Sequence, residues 1–173
     1  RTEAMVWLMR IWNSFENKNE QAQQLAEYLH QTYPDNPYFH RYYARVLYAR
    51  GLYPDMQRES LAILARLDSG MTGYEETSGR YAAFFLGQYA EARHATADAK
   101  KYYELAVKYS EMTGANDSGY YLYSLIALGE IAQKQGNAAE AKRYFKEVKS
   151  KAGRKDEAFK DAKRRLKKLE KED

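Results

Sequence analysis

Residues 122–148 read LYSLIALGEIAQKQGNAAEAKRYFKEV, and their spacing decides the fold. Leu125, Leu128, Gly129 and Ala132 fall on one stripe of an α-helix, and beyond Gly136-Asn137 a second stripe runs Ala141-x3-Phe145-x2-Val148. The same register stands 42 residues upstream, as Ala83-x2-Leu86-Gly87-x2-Ala90 followed by Ala99-x3-Tyr103-x2-Ala106. A weaker copy, Tyr43-Ala44-x2-Leu47 then Met56-x3-Ser60-x2-Ile63, precedes that one by 43. Ala22-x3-Ala26-x2-Leu29, with Pro34 five residues on, precedes it by a further 34. A fixed period of this length marks an array of helix–turn–helix units. Gly87, Gly129 and Ala44 on the first helix, and Ala99 and Ala141 on the second, are small enough for the two helices of a hairpin to cross closely. Tyr103 and Phe145 are expected to fill the seam between neighbouring hairpins. Gly51 and Gly136 suit a left-handed turn position between the paired helices.

These residues resemble the tetratricopeptide repeat, which pairs a large apolar and a small residue on helix A with Ala-x3-aromatic on helix B. The resemblance covers nearly the whole chain, although Ser60 replaces the aromatic in the second unit. It implies an all-α fold, a right-handed α–α superhelix of four helical hairpins plus a C-terminal capping helix. The whole would form a single domain, residues 1–173, with units at about 3–36, 37–79, 80–121 and 122–153 and the cap at about 155–171. In that family helix A lines the inner, concave groove. Carried onto this chain, the groove takes Ala4, Trp7, Ile11 and Ser14, then Tyr38, Arg41, Arg45 and Tyr48. The third unit adds Tyr81, Phe84, Gln88 and Glu91, and the fourth Tyr123, Ile126, Glu130 and Gln133. Tyr38, Tyr81 and Tyr123 would form a row, and Arg41 and Arg45, one turn apart, would fork onto a carboxylate. The resemblance thus implies a non-catalytic module that grips a peptide segment or helix of another protein; the alternative reading is that these rings only pack against neighbouring A helices. The Lys/Asn carboxylate clamp of the chaperone-binding members is missing, so that partner is not implied.

Outside the repeats, no stretch alternates with period two, and nine helices fit between the breaks. The residues added to each period fall at the joints Asp68–Gly79 and Thr113–Gly119, read first as loose connectors and second as loops that grip a partner. Phe159, Ala162, Leu166 and Leu169 form the single apolar stripe of the capping helix, whose other positions are mostly charged.

Composition excludes several chemistries. There is no cysteine, hence no disulfide framework or thiolate metal site. The three histidines, His30, His40 and His94, match no metal or catalytic motif; Glu91 and His94 stand one turn apart but lack a third ligand. Glu75-Glu76 reads as acidic bias at a helix N-terminus rather than an acid–base pair. Gly70-Met71-Thr72-Gly73 lacks the lysine a phosphate loop needs. No enzymatic activity, metal or organic cofactor is expected. The chain carries 28 Lys+Arg against 24 Asp+Glu; from Lys149 to Asp173 the balance is 11 to 6, so the basic charge belongs to the tail. Acids interleave there and no aromatic offers a base platform, so a solvated face is favoured over specific nucleic-acid binding. Two other partner readings are self-assembly with a second copy of the chain and electrostatic docking of the tail on an anionic surface. No run of apolar residues is long enough to span a membrane. A first residue of Arg suggests a processed or excised chain. With zero cysteines and 17 tyrosines, an exported or periplasmic bacterial protein is slightly favoured over a cytoplasmic one.

Overall fold

The computed structural model describes residues 3–4 and 19–171. Among the described residues the chain is all-α, with eight helices and no strand. These are α1 (Asn19–Thr32), α2 (Pro37–Ala49), α3 (Tyr53–Asp68), α4 (Glu76–Ala92), α5 (Thr96–Met112), α6 (Gly119–Lys134), α7 (Ala138–Lys151) and α8 (Glu157–Leu169). Most of the helix expected before Asn17, with Trp7, Ile11 and Ser14, lies outside the described residues. None of the eight helices is long and apolar enough to cross a membrane.

Local chemistry sets the boundaries. The Asn36 side chain accepts hydrogen bonds from the Tyr38 and Phe39 amides, and Pro37 fixes the first helical φ of α2. Ser118 and Asn137 cap α6 and α7 in the same way, through the Tyr121 and Glu140 amides. The three turns inside hairpins are copies of one another. Gly51, His94 and Gly136 have φ of 72°, 59° and 79°. In each turn the amide that follows closes back on the preceding helix: Leu52 to Leu47, Ala95 to Ala90, Asn137 to Ala132. His94 therefore occupies a turn rather than a helix, and its expected helical spacing from Glu91 does not exist.

Every helix packs on its sequence neighbours, and α2, α4, α6 and α8 also form a contact row of their own. No such row joins the odd-numbered helices. This sequential packing is consistent with a helical repeat. Its close crossings are built on glycine: a Cβ on Gly87 would lie 2.8 Å from the Tyr103 ring, and one on Gly129 2.5 Å from the Phe145 ring. Ala99, Ala141, Tyr103 and Phe145 are all buried. Phe145 also shares its core cluster with Ala162 and Leu166 of α8, so the last helix covers the end of the array.

Two expectations change. Helix α4 begins at Glu76, so the connector is shorter than the expected Asp68–Gly79: residues 69–75 link the helices, Gly79 is buried within α4, and Tyr74 is 4% exposed. Glu75 and Glu76 do stand at that helix N-terminus. On α8 the buried stripe is Ala158, Ala162, Leu166 and Leu169. Phe159 stands one position off it, half-buried beneath the Lys149 ammonium.

Candidate functional site

Helix α2 presents different chemistry on its two sides, because neighbouring residues on a helix point about 100° apart. On one side the Arg41 guanidinium lies 5.2 Å from the Tyr38 ring centre, 5.7 Å from Tyr42 and 5.1 Å from Tyr81. The Arg80 guanidinium lies 5.0 Å from Tyr81 and 5.8 Å from Tyr120. Tyr81 and Tyr120 are in ring contact at 4.5 Å, and Phe84 meets Tyr120 at 5.0 Å. Burial pushes the Tyr120 phenol up to about 12, with Arg45 the strongest opposing influence. Among the described residues, none of Arg41, Arg45 and Arg80 forms an ion pair with a carboxylate. Arg80 donates to Ser118 Oγ at 3.2 Å, while its buried Nε has no hydrogen-bond partner there.

Of the residues assigned to the groove from sequence, Tyr38, Arg41 and Tyr81 come together, and Phe84 meets Tyr120. Tyr48 and Gln88 bond to each other instead, the phenol donating to Gln88 Oε1 at 2.8 Å, and the Tyr48 ring stacks on Phe85. Tyr123 is 44% exposed and is not in the row. Its place beside Tyr81 is taken by Tyr120, one turn earlier on α6. Glu130 pairs with Arg165 of α8. Glu91 accepts from the Tyr103 hydroxyl at 2.6 Å, which, together with burial, holds that phenol far above its ordinary range. Neither acid is a free groove charge, and Ile126 is buried. Sequence reading missed Tyr42, Arg80 and Tyr120; their aromatic and basic character was visible, but not their register.

The other side of α2 carries His40, fully buried. Its Nε2 lies 3.0 Å from Glu59 Oε2 on α3, and its Nδ1 lies 2.9 Å from the Tyr74 hydroxyl. Arg66 donates to that hydroxyl at 2.6 Å and to the Pro34 carbonyl at 2.5 Å. The phenol oxygen thus accepts from Arg66 and directs its own proton to His40 Nδ1, which leaves His40 Nε2–H to donate to Glu59. His30, in the last turn of α1, stacks on His40 with ring centres 4.3 Å apart and points Nε2 at the same Glu59 oxygen, 3.4 Å away. Glu59 Oε1 accepts from Arg58 Nε at 3.2 Å. Burial lowers the His40 pKa, outweighing the hydrogen bond to Glu59 that works against it. The two imidazoles hold the Glu59 carboxyl well below the usual carboxylate range. No sequence signal announced this cluster, whose members stand on three helices at irregular separations.

Fold and surfaces together define an all-helical, repeat-like protein with an aromatic and cationic face. The chain matches no known family model, and no curated protein matches it.

Proposed function

We propose that the chain is a non-catalytic interaction module of the tetratricopeptide type, a right-handed superhelix whose concave side is built from the even-numbered helices. It binds an acidic peptide segment or helix of another protein. The observation that carries this reading is the placement of the Arg41 and Arg80 guanidiniums over tyrosine rings, with no carboxylate partner for either of them, or for Arg45, among the described residues. Stacking holds a guanidinium in place while leaving its N–H edge able to take a bidentate carboxylate. Tyrosines supply apolar contact area with few rotatable bonds. The contact row of the even-numbered helices supports their being the inner set, since helices on the inside of a curved array approach one another more closely.

The test is selection from a random peptide library on the folded chain, followed by affinity measurement on the enriched sequences. Peptides rich in Asp and Glu with an apolar or aromatic anchor are expected. Arg41→Glu with Arg45→Glu should weaken them by about 2 kcal/mol, roughly thirtyfold, with the helical spectrum retained. Enrichment without acidic character, or unchanged affinity in the folded double variant, overturns the proposal.

A further inference from the structure

We propose that His30 Nε2, His40 Nε2 and Glu59 Oε2 form a binding site for one divalent transition cation of the zinc class. The two imidazole nitrogens lie 3.4 and 3.0 Å from the same carboxylate oxygen, and one donor atom from each residue falls within 4.8 Å of the other two. A tetrahedron with zinc-to-donor bonds of about 2.05 Å has edges of about 3.3 Å. The two measured edges are already at that length. Ligation requires one imidazole to turn out of the stack, whose planes are inclined by only 22°, so that both Nε2 lone pairs meet at one ion; three coordinate bonds then replace two N···O contacts.

The donor set selects the ion. Two imidazoles and one carboxylate suit zinc, cobalt or nickel, whereas calcium and magnesium require oxygen ligands. The surroundings supply what such a site needs. Tyr74 and Arg66 hold the His40 ring from behind, and Arg58 holds the second Glu59 oxygen, so two of the three ligands are oriented by outer contacts. Ligation requires each imidazole to carry its proton on Nδ1. For His40 that proton then donates to the Tyr74 oxygen. For His30 the shift breaks no other hydrogen bond, because Nδ1 has no partner among the described residues. Both imidazoles stay neutral, so the step is a change of tautomer with no net proton release. The His30 and Glu59 side chains are 15% and 13% exposed, which leaves a path for the ion and for a water as fourth ligand.

The repeat makes the cluster conspicuous. In register, His40 corresponds to Ala83 and Leu125, and Glu59 to Tyr102 and Tyr144. The core of a hairpin does not need a histidine and a carboxylate at these positions. The inference does not depend on the groove reading.

The experiment is calorimetric titration of the tag-free chain with zinc chloride near pH 7.5, with cobalt as a spectroscopic probe. One zinc per chain is expected, with a rise in the thermal midpoint and the visible absorption of low-coordinate cobalt. His30→Gln and Glu59→Gln should each lose at least tenfold in affinity, while His94→Gln, on the exposed turn, should bind as wild type. Should Glu59→Gln fail to fold, His30→Gln at the rim decides, together with nitrogen chemical shifts of the wild-type histidines. Zinc should move the Nε2 signals of His30 and His40 and leave His94 unmoved. Absence of zinc binding by wild type in excess metal, equal binding by folded His30→Gln, or movement of His94 alone overturns the proposal.

Discussion

The hairpin α2–α3 and the hairpins α4–α5 and α6–α7 occupy one repeat register with opposite chemistry. In the later two, a glycine faces an aromatic ring, Gly87 on Tyr103 and Gly129 on Phe145. In α2–α3 the corresponding residues are Ala44 and Ser60, both buried, and the serine hydroxyl donates to Met56 Sδ at 3.4 Å. The volume surrendered by the aromatic is partly returned by the extra methyl on the facing helix. The same hairpin holds His40 and Glu59 where the others hold apolar or aromatic side chains. Departure from the repeat pattern and concentration of polar chemistry thus coincide, as expected when a local rule is broken for something other than packing.

The largest effect should come from forcing the later hairpins toward the earlier one. Gly129→Ala places a methyl 2.5 Å from the Phe145 ring, and about 2–3 kcal/mol of stability should be lost in urea unfolding. Phe145→Leu in the same chain should recover part of it. A loss below about 0.5 kcal/mol would mean that the crossing is not held by ring-on-glycine contact.

A pH series separates the two hairpin types next. His40 is faced by His30 from α1, by Glu59 and Arg66 on α3, and by Tyr74 before α4. Its pKa is lowered in the folded chain, so below the ordinary 6.5 the unfolded chain binds more protons and stability falls with pH. Glu59 is lowered too, so its contribution, present above about 4.5, is lost as pH falls further. The urea midpoint should therefore begin to drop near pH 6.5, and in His40→Leu the drop should begin only in the carboxylate range. An identical profile in both chains would remove His40 as the cause.

The smallest effect lies in the turns, where the hairpins are otherwise alike. His94 adopts the left-handed conformation that glycine fills at residues 51 and 136. His94→Gly should stabilise the chain by up to about 1 kcal/mol. A lower thermal midpoint in that variant would show that the imidazole makes a compensating contact.

Much of this architecture was legible because glycine, alanine and aromatics at fixed offsets have a single packing explanation. Gly87 and Gly129 announced their crossings, and Gly136 its turn. The polar cluster was not legible: His30 and His40 stand on adjacent helices and Glu59 on a third, and no periodicity encodes an approach across three helices. The aromatic and cationic face was half legible: Arg41 does lie between the Tyr38 and Tyr81 rings. Yet Tyr120 rather than Tyr123 meets Tyr81, and the cap took Glu130 through a pairing with Arg165 that spacing within one repeat does not encode.

The unequal contact rows have a mechanical consequence. Helices α2, α4, α6 and α8 touch along one side, whereas no such row joins α1, α3, α5 and α7. Bending that spreads the even side must break a row of close helix contacts, whereas the odd side is joined by side-chain packing alone, α3 with α5 around Leu64 and Tyr109 and α5 with α7 around Val107 and Tyr144, so the array should flex like a leaf spring bound more tightly along one edge. The 3.4 Å approach of His30 Nε2 on α1 to Glu59 Oε2 on α3 is a stitch across the looser edge, and it stiffens the end of the spring where it sits.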